Sequence, residues 1–325
     1  MKLFSFSPLR LSVFFVALFS VFFFSGCQNK ENNTDENKIS VITSFYPLAF
    51  FAQEIAGDNA NVINLSGNKS PHSYKISTQD RVKLSQADLV IYQGIGLESW
   101  TQDIIPELQK DGVSVLEASH GLHISPRTEE HKNEHEDDEH DEHNEHNKHE
   151  EDHHGEFDPH TWIDPVLAQE MAKNIANSLI EIDSQNAQEY KNNLKILIEK
   201  LEILDAQYQS GLKNCVQKKA FISHNAFGYL EKRYNFELFP IAGLSPSDEP
   251  SAKLLAELQD IAQTQNITHI LTEENNVKKY AELLSREVKT TMLSIDPMGK
   301  KPATNNYFQT SRNNLHSLST AFQCQ

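Results

Sequence analysis

Apolar and polar residues change period repeatedly along this chain. From Ile39, "ISVIT" is a short β-branched run, Pro47 marks a turn, a helical apolar stretch runs to Gly57, and "NVINL" is β-rich again. The same alternation continues in "RVKLSQADLVIYQGIGLESW", a helix feeding a buried strand at Leu89 to Tyr92, and in "TQDIIPELQKDGVSVLEAS". Strand and helix in regular alternation imply a parallel sheet with crossover helices. From Val166 to Ser210 the pattern is different: apolar residues recur every three or four positions with no Gly or Pro between them. This spacing predicts two helices hinged near Asp183 and Ser184. The second, from Ser184 to about Leu212, would be roughly 45 Å long and able to bridge two lobes. Beyond it "KKAFISH", "AFGYLEKRYN", "FELFPIAGL", "AKLLAELQDIAQTQ", "ITHILTEEN", "AELLSREV" and "TTMLSID" restore the alternation, and a helical tail closes the chain.

The fold class that follows is α/β, with two lobes, each a mainly parallel sheet flanked by helices, joined by a long rigid bridging helix. Residues 39–164 form the first lobe, 165–213 the helical linker and 214–325 the second lobe. A chain of 325 residues is long enough to give each lobe its own core.

Charge separates one segment from the rest. Residues 129–156 hold fourteen Asp or Glu against Lys132 and Lys148, twelve of the seventeen net negative charges. The acidic balance argues against nucleic acid and is compatible with binding cations. This segment has no apolar residue to bury before Phe157, so it is expected to be disordered. It carries His131, His135, His140, His143, His146, His149, His153 and His154, which together could hold a divalent metal weakly through shifting imidazole pairs. The alternative is a solvated acidic loop with no metal role.

The first residues read as an export signal: Lys2 and Arg10, an apolar run from Leu11 to Phe24, then Ser25, Gly26 and Cys27. Small residues before a cysteine resemble a lipoprotein signal, spanning residues 1–27, with Cys27 acylated as the first mature residue. Phe24 departs from the usual Leu there, and ordinary cleavage is the alternative. Residues 28–38 are polar and aperiodic, as in a flexible tether. The chain is therefore expected outside the cytoplasm, in the periplasm or at the cell surface, held to a membrane by lipid. With Cys27 so used, Cys215 and Cys324 remain, and an oxidising compartment favours their pairing over two free thiols.

Four polar residues stand where predicted strands or loops end: His72 in "NKSPHSY", His160 in "FDPHTW", His224 in "AFISHNAFGY" and Asp296 in "MLSIDPMG". Ligands of open α/β sheets gather at the carboxyl ends of strands, so two facing lobes could bring these four to one cleft. Three imidazoles and a carboxylate suit tetrahedral Zn²⁺, whereas Ca²⁺, Mg²⁺ or Mn²⁺ would favour oxygen donors. Pro71, Pro159 and Pro297 stiffen three of the four loops. Binding requires neutral imidazoles, so affinity is expected to fall through about pH 6.5, the unperturbed histidine value.

The motifs "SFYPLAFFAQEIAGD", "SPHSY", "KLSQADLVIYQGIGLESW", "DPHTWIDP", "SHNAFGYLEKRYNF" and "IDPMG", in this order, resemble the metal-specific solute-binding proteins of ABC zinc importers. The resemblance covers nearly all of the chain from Ile39. It implies a receptor and not an enzyme, with Zn²⁺ as its transported ligand, His72, His160, His224 and Asp296 as ligands, an ABC permease as partner, and a monomeric state. His224 stands where manganese-binding relatives present a carboxylate, and a His-rich loop is a habit of the zinc branch. Glu273 and Glu274 in "LTEENN" match a strand-end motif of the family, where one could replace Asp296 or support the ligands. Of the remaining candidates, His120 and His123 could form a weak accessory site, His269 and His316 read as structural, and Trp100 and Trp162 as lobe-packing residues beside the cleft. A manganese or other divalent-metal receptor, an adhesin-like zinc buffer of the same fold and a zinc hydrolase are the alternatives; the chain has no HExxH motif for the last.

Overall fold

The computed structural model describes residues 38–124, 157–273, 277–304 and 306–325. The signal with Cys27, nearly all of the tether, the acidic His-rich segment and Glu274 lie outside the described residues.

The first sheet contains β1 (Ile39–Thr43), β2 (Ala60–Asn64), β3 (Leu89–Tyr92) and β4 (Ser114–Glu117), all parallel, in the order β2-β1-β3-β4. The second repeats the plan with β5 (Lys219–His224), β6 (Glu237–Ala242), β7 (His269–Thr272) and β8 (Thr291–Ser294), in the order β6-β5-β7-β8. Both therefore reverse direction of winding between their two central strands, the place where open sheets leave a crevice at the carboxyl ends. The crossover helices are α1 (Tyr46–Ala56), α2 (Thr78–Ser85) and α3 (Thr101–Lys110) in the first lobe, and α6 (Gly228–Tyr234), α7 (Ala252–Thr264) and α8 (Lys278–Val288) in the second. Pro47, read from sequence as a turn, opens α1 instead, where a missing N–H costs nothing.

The linker is α4 (Pro165–Ile182), a one-turn 3₁₀ segment at Ser184–Asn186, and α5 (Ala187–Gly211). Asp164 starts α4 by accepting from the N–H groups of Val166 (2.8 Å) and Leu167 (3.2 Å), with Pro165 as the first helical residue. The break at Asp183 lies where the sequence placed it, and the 3₁₀ turn shortens the bridging helix to 25 residues, about 37 Å at 1.5 Å per residue. Tyr190, Leu197, Leu201, Leu204 and Tyr208 form its buried stripe. That stripe packs on α1 of the first lobe and on α9 (Tyr307–Ala321) of the second, so one continuous core runs through both lobes. Separate clusters cover the outer sheet faces, with Trp100, Ile104 and Leu108 in the first lobe and Phe239, Leu258 and Leu284 in the second.

Cys215 and Cys324 form a disulfide that ties the tail after α9 to the segment before β5. Backbone bonds on either side, Gln217 N–H to Phe322 O (3.0 Å) and Gln325 N–H to Asn214 O (3.0 Å), continue the attachment. Among the described residues, no helix is long and apolar enough to cross a membrane.

Candidate metal centre

The cleft between the lobes holds a cavity of about 290 Å³ lined by His72, His160, His224, Glu273 and Asp296, with Trp162 and Pro71 among its walls. His224 is the last residue of β5, and Glu273 directly follows β7, the adjacent strand, so both stand at the winding reversal of the second sheet. Asp296 lies two residues beyond β8. From the other side come His72, in a 3₁₀ turn at Pro71–Ser73 after β2, and His160, which precedes the 3₁₀ turn Thr161–Ile163.

One nitrogen of each of His72, His160 and His224 lies within 4.8 Å of the others. The Nε2 atoms of His72 and His160 are 3.1 Å apart, and the ring centroids are separated by 5.0, 5.4 and 6.1 Å. His160 Nδ1 is 2.6 Å from Asp158 Oδ1, which also accepts from the His160 backbone N–H at 3.0 Å. His224 Nδ1 makes the equivalent contact with Glu273 Oε1. A carboxylate at Nδ1 fixes the proton there and leaves the Nε2 lone pair for a metal. Among the described residues His224 Nε2 is buried with no hydrogen-bond partner, the condition of a donor atom suited to a cation. Among the described residues His160 Nε2 meets the His72 ring, which can donate to it when no ion is bound.

Electrostatics act in the same direction. Burial, assisted by the neighbouring His160 and His224, pushes His72 down to about 2. Burial also lowers His160, although Asp158 pulls the other way. Both imidazoles are therefore held neutral to lower pH than an unperturbed histidine.

Asp296 lines the cavity but stands apart from the three-nitrogen cluster. Its backbone is held by Asn314 of α9: the Asp296 N–H donates to Asn314 Oδ1 (2.9 Å), and Asn314 Nδ2 donates to the Asp296 carbonyl (2.6 Å). Its Oδ1 accepts from the Met298 N–H at 2.7 Å. Burial raises its carboxyl pKa, and the charge of Glu273 adds to the rise.

The segment from Asp158 to Asp164 belongs as much to the second lobe as to the first. Gln93 Nε2 donates to Pro159 O (3.1 Å) and Thr161 Oγ1 (2.7 Å) from the end of β3. Gln93 is itself placed by Glu98, which accepts from its N–H at 2.8 Å and from Ser44 Oγ at 2.5 Å. Burial pushes Glu98 up to about 7. From α6, Tyr229 Oη donates to Asp158 O (2.7 Å) and Arg233 Nε to Asp164 Oδ2 (2.6 Å). Sequence reasoning missed Asp158, Gln93 and Asn314. Asp158 was within reach of it, two residues before a histidine, as a carboxylate able to orient the ring.

Other candidates lie elsewhere. Trp100 is buried in the first-lobe core and does not border the cleft, unlike Trp162. His120 and His123 are exposed and join no metal-holding group among the described residues. His269 Nδ1 pairs with Thr268 Oγ1 at 2.9 Å, and His316 is exposed on α9.

Residues 41–321 match the model of the family described as zinc-uptake complex component A, periplasmic. The zinc-binding lipoprotein AdcA of Streptococcus pneumoniae is 33% identical over 315 residues, which cover 95% of this chain and 60% of that one. The chain thus spans about 60% of the length of the AdcA relatives it matches. The high-affinity zinc uptake system protein ZnuA of Bacillus subtilis is 36% identical over 261 residues, covering 79% of this chain and 78% of ZnuA. In three dimensions, a zinc-bound variant of AdcAII from Streptococcus pneumoniae superposes with a TM-score of 0.76 at 30% identity, over 88% of this chain and 99% of that one.

Proposed function

The chain belongs to the periplasmic zinc-uptake component A family, a family of solute-binding receptors, and from that premise we propose that it captures Zn²⁺ outside the cytoplasm and delivers it to an ABC permease. Its ligands in this reading are Nε2 of His72, His160 and His224, with Asp296 closing the coordination shell. Glu273 and Asp158 act from behind, holding His224 and His160 by Nδ1. Three neutral imidazoles and one carboxylate form a tetrahedral set of the kind that suits zinc, and a shell filled by protein leaves no open position for substrate water.

One observation carries the reading: two imidazoles are held at Nδ1 by carboxylates, one of them with its Nε2 3.1 Å from that of the third, and His224 Nε2 is buried without a partner among the described residues. Such an arrangement is costly for a protein that binds nothing there, because an unsatisfied buried polar atom costs about 1–3 kcal/mol. Relatives at 33% and 36% identity are named zinc-binding lipoprotein and high-affinity zinc uptake protein, which supports both the cargo and an anchor at Cys27. The acidic segment with its eight histidines serves in this reading as an accessory collector.

The test is zinc titration of the soluble protein lacking residues 129–156 against a chelator of known affinity, paired with zinc-limited growth of cells carrying each variant. One tight site should survive the deletion. Alanine at His72, His160 or His224 should weaken that site by more than the ~10–100-fold typical of losing an outer partner, and should slow growth. Loss of all tight binding on deleting the segment would transfer the function to the segment and end the proposal.

A further inference from the structure

Trp162 is fully buried, yet it touches more of the site than a packing residue needs to. It stands two residues after His160, with ring centroids 5.2 Å apart. Its other edge meets Phe45, at the carboxyl end of β1, at 4.6 Å and 70°. Its indole N–H donates at 2.7 Å to the carbonyl of Pro297, the residue after Asp296. Its own carbonyl accepts from Tyr307 Oη, at the start of α9, also at 2.7 Å. The side chain therefore joins the His160 segment to the loop that carries Asp296, across 135 residues of sequence.

Resting on the zinc-site reading above, we propose that Trp162 is a positioning residue: its indole N–H latches the Asp296 loop to the His160 segment, so that the carboxylate meets the metal held by the histidines. The Asp296 backbone is fixed on its α9 side by Asn314, but that contact sets only its distance from α9. The bond to Pro297 sets the position of the loop relative to the imidazoles. Pro297 is buried, and the indole is the donor to its carbonyl. Removing the N–H leaves that carbonyl unpaired and the loop able to move away. Outer partners that orient ligands typically change metal affinity by about 10–100-fold, and the loss here should fall in that range.

The test is a double-variant cycle of Trp162→Phe and Asp296→Asn, reading zinc affinity by chelator competition and coordination by the visible spectrum of the Co²⁺-loaded protein. Trp162→Phe should weaken zinc binding and shift the Co²⁺ spectrum as Asp296→Asn does. In the Asp296→Asn background it should cost little more, since coupled residues are not additive. Tyr307→Phe, which removes a neighbouring buried bond but not the one to Pro297, should lower stability and leave the Co²⁺ spectrum unchanged. Full additivity of the two losses, or Trp162→Phe with unchanged affinity, would overturn the latch. A protein whose triple-histidine variants bind zinc as the unmodified chain does would overturn the underlying site instead. Should Trp162→Phe fail to fold, 3-benzothienylalanine at 162, with sulfur in place of N–H, makes the same test in nearly the same shape.

Discussion

Replacing Asp158 by alanine separates the orientation of an imidazole from its presence. The substitution removes the acceptor 2.6 Å from His160 Nδ1 and 3.0 Å from the His160 backbone N–H, while His160, 1% exposed, has no route to water as a substitute. Without that acceptor the proton is no longer held on Nδ1, and the tautomer carrying it on Nε2 blocks metal binding. A partner of this kind is worth about 10–100-fold in metal affinity, or about 1.4–2.8 kcal/mol at 1.4 kcal/mol per tenfold. The unpaired N–H costs the fold a further ~1–3 kcal/mol, within the ~5–15 kcal/mol a domain has available, so the variant should fold. Asparagine at 158 keeps an oxygen in the same place and should lose less than alanine. The assay is competition with a chromophoric chelator at fixed pH and salt, with melting curves in excess chelator to follow stability separately. Alanine binding zinc as tightly as the unmodified protein would refute the reasoning, and asparagine losing as much as alanine would show that charge, not tautomer control, is what Asp158 supplies.

Three other outcomes follow from the same geometry. Serine at both Cys215 and Cys324 opens a link between residues 109 apart, for which chain entropy sets about 4.7 kcal/mol as the scale; melting temperature should fall sharply, and zinc affinity should hold because the link lies at the opposite end of β5 from His224. Burial keeps His72 and His160 below the unfolded value near 6.5, so the unfolded chain binds more protons under acid conditions. Metal-free stability should be complete above that pH and fall below it by up to ~1.4 kcal/mol per unit for each histidine, and His72→Ala should flatten the profile of melting temperature against pH; superimposable profiles would contradict this. Arg233→Met leaves Asp164, which is 1% exposed, without its guanidinium. Breaking a buried pair costs about 3–5 kcal/mol, and the partial exposure of Arg233 reduces this to roughly 1–3 kcal/mol, measurable by urea denaturation.

The parallel sheets and the bridging helix were legible because each depends on local periodicity: a gap-free amphipathic run from Val166 to Ser210 has few alternatives to helix. The four candidate ligands were legible as strand-end and loop-end residues, three of them beside prolines. Which carboxylate does what was not. Glu273 and Asp296 both follow strands, yet Glu273 turns to His224 Nδ1 while Asp296 engages its own loop at Met298. That difference is set by packing against α9, through Asn314, eighteen residues further on. The clamp on the 158–164 segment was invisible for the same reason. Tyr229, Arg233 and the Pro297 carbonyl meet it across 71, 69 and 135 residues, and no spacing rule reaches that far.

The most direct measurement is zinc-edge X-ray absorption on the protein lacking residues 129–156 and loaded with one equivalent of zinc. Three imidazoles and one carboxylate should appear as a nitrogen and oxygen shell at about 2.0–2.1 Å, with the outer-ring scattering of three histidines. The histidine count should drop to two in each of His72→Ala, His160→Ala and His224→Ala. A site with fewer than three imidazoles in the unmodified protein, or a spectrum unmoved by those substitutions, would contradict the assignment of the cleft as the zinc site.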